Sequence, residues 1–179
     1  MLSRTFLWPQ GYTSAAMISV NLDAEFYGRI FYPGIDVSEG DIQRLGWTGM
    51  EYGLPHLLDC FREHGVKGTF FIPGRVAELY PDAVRAIADA GHELGCHGYE
   101  HEILAHFTPE EQLELLKKAK AAIEKAAGRA VTGFRMPEGE ITEQTLVAAK
   151  EAGFAYSSSL SNTDVPYIRQ PAGLPELPI

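Results

Sequence analysis

The chain has 179 residues, 45% hydrophobic and 22% charged, with a formal net charge of -9, which suits a single soluble domain with a substantial core. That acidic balance, with no basic run, excludes nucleic acid and an anionic membrane as main partners, because backbone phosphates are held by clustered Lys and Arg; a small or neutral molecule is left. The apolar N-terminal run is broken by Pro9, Gln10 and Gly11, and no later stretch is long enough to span a bilayer, so a cytoplasmic setting is expected.

A first strand is expected over 16–23. The stretch from Asp23 to Glu51 is aromatic and glycine-rich without a helical period, and is expected to be a loop serving as a flap over the site or as an oligomer contact. Leu54, Leu57, Leu58 and Phe61 then fall at i, i+3, i+4, i+7, the stripe of a helix, which Gly65 can stop in the left-handed conformation. A strand over 68–72 follows, and after a second glycine stop at Gly91 another over 93–97. Thr108, Pro109 and Glu111 provide a cap, a first helical residue and the acid of a capping box. The helix they open carries Leu113, Leu116, Ile123 and Ala127 on one stripe and stops at Gly128. Strands over 131–135 and 155–159 flank a last helix, capped by Thr142 and stopped by Gly153, and a sixth strand is expected over 174–179. Strands alternating with helices at this spacing pair in parallel, which defines the α/β class. A full eight-stranded barrel takes about 250 residues, so the residues leave open a smaller or irregular barrel and an open sheet.

In parallel α/β folds the ligand site forms at the carboxyl ends of the strands. Asp23, His97, Arg135 and Ser157 to Ser159 occupy those ends. His97 and His101, four apart in "HGYEH", can present two imidazoles to one cation. With Asp23 they make a set of two histidines and one carboxylate that leaves coordination positions open for water and substrate; the alternative is a hydrogen-bonded core histidine and a surface one. His92 and His106, beside a helix stop and a helix start, are expected to be capping or surface residues. The two cysteines are too few for a disulfide framework and are expected as small buried thiols, Cys96 pointing to the face opposite His97. Arg135 can hold a carboxylate bidentately or stabilise developing negative charge, and Pro137 fixes the turn after it.

Taken together, "VNLDAE", "EYGLPHLLDCFREHGVKGTFFIPG", "AGHELGCHGYEH", "GFRMPEG", "GFAYSSSL" with "DVPY", and "LPELP" resemble the polysaccharide deacetylase family, the NodB-homology domain, especially its branch of cytoplasmic-type deacetylases and cyclic-amide hydrolases. The resemblance covers nearly the whole chain. It implies one domain over 1–179 with a distorted (β/α) barrel of fewer than eight strands. It also implies a divalent metal, usually zinc, held by Asp23, His97 and His101, with Asp23 and Arg135 catalytic. Asn21, Glu25, Tyr99 and Pro137 are expected to line the pocket for a carbohydrate or other small amide. The implied reaction is hydrolysis of a non-peptide amide C–N bond, de-N-acetylation of a carbohydrate first. The alternatives are hydrolysis of a cyclic amide with little metal dependence, and ligand binding without turnover.

Three positions depart from the family pattern. Where the branch has D-x-D-x-E, Asn21 stands for the first aspartate, so that Asp23 is the ligand and the base has become an amide; aligned instead on T-F-D-D, Asp23 is the base and Ala24 replaces a ligand. Glu25 is the nearest substitute carboxylate in sequence. Ser157 replaces a frequent Asp. The family continues into further strands beyond the point matching Ile179, and an edge left open there leads to the expectation of a homo-oligomer.

Overall fold

The computed structural model describes residues 8–27 and 39–179. Among the described residues seven strands form one sheet: β1 (Ser19–Asn21), β2 (Thr69–Ile72), β3 (Glu93–Cys96), β4 (Gly133–Phe134), β5 (Tyr156–Ser157), β6 (Tyr167–Arg169) and β7 (Leu174–Glu176). Their order is β1-β2-β3-β4-β5-β7-β6, and every pairing is parallel except the antiparallel β6–β7 ribbon. Among the described residues no pairing joins β1 to β6. The expected strand positions hold for β1 to β5 and β7, each shorter than expected; β6 was not foreseen.

The helices are α1 (Glu39–Thr48), α2 (Leu54–Glu63), α3 (Gly74–Leu79), α4 (Pro81–Asp89), α5 (Pro109–Ala127) and α6 (Glu143–Glu151), with a π-turn over Gly49–Gly53 joining α1 to α2. The cap read at Thr108 forms in full: Glu111 N donates to Thr108 Oγ1 at 3.3 Å and Thr108 N to Glu111 Oε2 at 2.8 Å. Gly65, Gly91, Gly128 and Gly153 all have positive φ, the left-handed stop that only glycine adopts without a Cβ penalty. α5 packs along α3, α4 and α6. Gly74 permits the first of these contacts, since a Cβ there would meet Ala119 Cα and the Tyr99 ring.

The segment expected as a loop between Asp23 and Glu51 is corrected over residues 39–48, which are helical; residues 28–38 lie outside the described residues, and with them the flap and contact readings. Gly40 and Gly46 hide the helical period. At Gly46 the reason for glycine is packing, because a Cβ would run into the backbone of Ala24 and Glu25.

β2 is buried at all four positions, as expected of a parallel strand covered on both faces. Phe70 and Ile72 join the helix-side core with Leu94, Cys96 and Phe134. Phe71 faces the other way, in a register row that crosses five strands: Asn21, Phe71, Gly95, Gly133, Tyr156. The two glycines give the row its shape. A Cβ on Gly95 would meet the Phe71 ring, and one on Gly133 the Tyr156 ring, so each aromatic lies across its neighbour's bare backbone.

Candidate active site

Side chains two residues apart along a strand share a face. Two positions beyond Asn21, Gly95, Gly133 and Tyr156 stand Asp23, His97, Arg135 and Ser158. The period of the strands thus delivers the polar residues to the carboxyl edge of the face that carries Phe71. There Asp23, His97, His101 and Arg135 are all buried.

Asp23, His97 and His101 each present a ligand atom, and these lie within 4.8 Å of one another. His97 Nε2 is 3.7 Å from Asp23 Oδ1, and His101 Nε2 is 3.8 Å from Asp23 Oδ2. His97 Nδ1 lies 2.9 Å from the Arg135 carbonyl. A carbonyl only accepts, so Nδ1 carries the proton and Nε2 turns its lone pair toward Asp23. Asp23 Oδ1, His97 Nε2 and His101 Nδ1 have no hydrogen-bond partner among the described residues. Buried polar atoms are rarely left unpaired, and two imidazoles with one carboxylate form a donor set suited to a divalent cation. The residues present fit such an ion.

Burial dominates the electrostatics of the three residues. Burial, reinforced by the nearby Glu138 carboxylate and opposed by Arg135, pushes the Asp23 carboxyl up to about 7. Burial holds His97 down at about 3 and lowers His101 as well, so both imidazoles are neutral at neutral pH, as metal ligands must be.

The loop from His97 to His101 is not a helical turn. Gly98 has φ 75°, and the Glu102 carboxylate accepts from Tyr99 N at 2.8 Å and Glu100 N at 2.5 Å, folding the segment over. Gly74 N and Arg75 N donate to the carbonyls of Gly98 and Tyr99, tying the loop to the start of α3. Among the described residues, the non-glycine residues with positive φ are Ala24, His101 and Glu138, at 48°, 62° and 57°. All three lie at this site or directly after Asp23, where such strain commonly collects.

Arg135 is held on three sides. Its Nε donates to Ser158 O at 2.6 Å, Nη2 to Ser158 Oγ at 2.9 Å and Nη1 to Asn21 Oδ1 at 2.9 Å, and its guanidinium stacks 4.1 Å from the Phe71 ring centroid. Burial lowers it to about 10, still charged at neutral pH. Pro137 is buried and opens a short turn after Met136, whose N donates to Ser159 Oγ.

Two residues expected at the pocket turn elsewhere. The Glu25 carboxylate accepts from Tyr80 Oη at 3.2 Å, and the Tyr99 hydroxyl donates to Glu78 Oε2 at 3.0 Å beneath Lys118. Both are drawn to α3 and its flank, Glu25 because the backbone turns left-handed at Ala24 and the strand does not continue. His92 is a correction too: it is buried, accepts from Gly68 N through Nδ1 at 3.1 Å and packs edge-on to Phe70. Cys60 is exposed rather than buried, on the outer face of α2.

Sequence reasoning missed Glu138, whose Oε1 is 3.8 Å from His101 Nε2, and Tyr27, whose ring meets His101 at 6.4 Å between centroids. It also missed buried Glu176, which accepts from Ser159 N at 2.6 Å and Leu160 N at 2.9 Å and so anchors the serine segment that holds Arg135. Only the acid in "RMPEG" could have been singled out beforehand, by its place next to Arg135.

Fold and site define an α/β protein with a largely parallel sheet and a buried two-histidine, one-aspartate centre at its carboxyl edge. The sequence model of the polysaccharide deacetylase family matches residues 47–157, more than half of the chain. The chain belongs to the polysaccharide deacetylase family. That match holds His97, His101 and Arg135; Asp23 precedes it and joins them by geometry. A peptidoglycan deacetylase of Helicobacter pylori is 36% identical over 137 residues, 76% of this chain and 46% of the relative; the chain therefore spans less than half the length of that protein. A crystal structure from Mycobacterium smegmatis, described as a candidate polysaccharide deacetylase, superposes with a TM-score of 0.84 at 34% identity, over 97% of this chain and 61% of that one. The Puue allantoinase superposes with a TM-score of 0.79 over 96% of this chain and 63% of its own, at 22% identity, a likeness of fold.

Proposed function

We propose that the protein hydrolyses a non-peptide amide C–N bond, removing the acetyl group from an N-acetylated sugar, with a zinc ion held by Asp23, His97 and His101. The observation that carries this reading is that Asp23, His97 and His101 bring one ligand atom each within 4.8 Å of one another, with buried Asp23 Oδ1 and His97 Nε2 lacking a hydrogen-bond partner among the described residues. Family membership and the peptidoglycan deacetylase relative support a glycan substrate. Zinc is favoured by the nitrogen and oxygen donors and by a set of three that leaves positions open.

When bound, such an ion supplies Lewis acidity, polarising a carbonyl and making water a stronger acid. The chain's own residues do the rest. Arg135 fixes the His97 tautomer through its carbonyl, keeping Nε2 free. Its guanidinium, held by Ser158 and Asn21, is a stationary positive charge beside the site, suited to stabilising negative charge that develops on the acyl oxygen. Asn21, one strand row below Asp23, fixes the guanidinium by accepting from Nη1, and buried Pro137 opens the turn that follows Arg135. Asp23 serves as ligand, since both histidines face its two oxygens.

The test is acetate release from N-acetylglucosamine oligomers and muropeptides by zinc-loaded protein. The reading expects release that a chelator abolishes and zinc restores. No release from either substrate class by protein shown to hold zinc would refute it.

A further inference from the structure

We propose that Glu138 is the catalytic base of this site, the carboxylate that takes a proton from the attacking water. The inference rests on the amide-hydrolase reading above and identifies the proton acceptor that such chemistry needs. Water attacks an amide usefully only when a positioned group removes a proton as the oxygen bonds to carbon. Asp23 is committed to the two histidines. Asn21, at the row below, is an amide that cannot accept a proton and already receives Arg135 Nη1 at 2.9 Å.

Other carboxylates around the site have partners elsewhere. Glu25 faces Tyr80, Glu78 holds Arg75 and Tyr99, Glu102 caps the histidine loop, and Glu176 binds Ser159 N and Leu160 N. Glu138 is different. Its Oε1 stands 3.8 Å from His101 Nε2, as far as Asp23 Oδ2 stands from the same nitrogen, yet its side chain is 28% exposed where Asp23 is 9%. It thus stands beside the triad with a side chain that solvent reaches more readily than it reaches Asp23.

Backbone geometry aims it there. Glu138 has φ 57° and ψ 4°, a conformation costly for a residue with a Cβ. Buried Pro137 before it and left-handed Gly139 after it hold the turn. Strain kept at a residue beside a buried centre marks a side chain whose direction matters.

The step balances. The water oxygen bonds to the acyl carbon as one water proton passes to a Glu138 carboxylate oxygen. The carbonyl π pair moves to the acyl oxygen in that step. It re-forms the C=O bond as the C–N bond breaks and Glu138 passes its proton to the departing nitrogen, giving the free amine and acetic acid, which ionises to acetate, with Glu138 a carboxylate again.

Glu138→Gln keeps shape and removes the proton acceptor, and it is compared with wild type by acetate release from an N-acetylglucosamine oligomer and by zinc affinity in competition with a chromophoric chelator. The proposal expects kcat to fall at least about 100-fold, with KM and zinc affinity within about threefold of wild type, and expects Asn21→Asp in the Glu138→Gln background to restore at least about tenfold by returning a carboxylate to β1. A Glu138→Gln kcat within about threefold of an active wild type overturns this assignment alone. Zinc affinity lowered more than about tenfold in Glu138→Gln overturns it as well, making Glu138 a ligand. A wild type that binds zinc and releases no acetate overturns the amide-hydrolase reading and this one together.

Discussion

Arg135 donates from Nη1 to Asn21 Oδ1 at 2.9 Å, joining positions 114 apart in sequence. Its carbonyl meanwhile holds His97 Nδ1. A single buried residue directly after β4 therefore sets the end of β1 and the tautomer of a histidine after β3. Removing the guanidinium leaves Asn21 Oδ1, Ser158 O and Ser158 Oγ without their donor. Arg135→Ala is expected to lower stability by about 2–4 kcal/mol, and Arg135→Lys to recover only part, because an ammonium cannot reproduce the fork. Urea unfolding checks both; a loss under about 0.5 kcal/mol for Arg135→Ala would contradict the network.

Gly95 lies under the Phe71 ring, on which Arg135 stacks. Gly95→Ala forces that ring aside and is expected to cost about 1–3 kcal/mol by overpacking. The same displacement should alter the near-ultraviolet circular dichroism, and unchanged stability would mean that Phe71 has room to move.

Ala24, immediately after Asp23, has φ 48°. Ala24→Gly removes the Cβ penalty of the left-handed region but frees the unfolded chain, and a net gain of about 0.5–1 kcal/mol is expected. A loss in urea unfolding would show that the Ala24 methyl contributes more by packing than it costs in strain.

His92 lends itself to a pH test away from the centre. Its Nδ1 accepts from Gly68 N, so protonation sets two N–H donors against each other; burial first, then Lys67 and Arg129, lower its pKa below the ordinary 6.5. The unfolded chain therefore takes up the proton first as pH falls. His92 contributes stability that is complete above about pH 7 and is lost progressively below about 6.5. Urea midpoints between pH 8 and pH 5 should fall less steeply in His92→Gln than in wild type, the difference isolating this residue from the other buried histidines. Parallel curves would refute the assignment.

Much of this was legible in the sequence because local rules carried it. Glycine stops, one capping box and the alternation of helix and strand signals gave the class and the places of six strands. Asp23, His97 and Arg135 could be read as neighbours because they end strands whose carboxyl ends share an edge. What escaped depends on tertiary approach. Gly46 looked like a break in α1 and is a packing contact on Glu25. β6 is three residues whose partner, β7, follows a short turn, too brief for a periodic signal. Glu25 seemed the nearest spare carboxylate by strand period, until the left-handed turn at Ala24 took it to Tyr80. Glu138 could not be placed beside His101 from sequence, since nothing local announces a positive φ at a glutamate.

The chemistry proposed for this site depends first on Asp23, His97 and His101 holding one divalent cation. Zinc titration of chelator-stripped protein against a chromophoric competitor, in wild type and in Asp23→Ala, His97→Ala and His101→Ala, measures it. About one equivalent bound by wild type is expected, with affinity at least about 100-fold weaker in each variant. Binding well below one equivalent, or an affinity that the three substitutions leave unchanged, would contradict it.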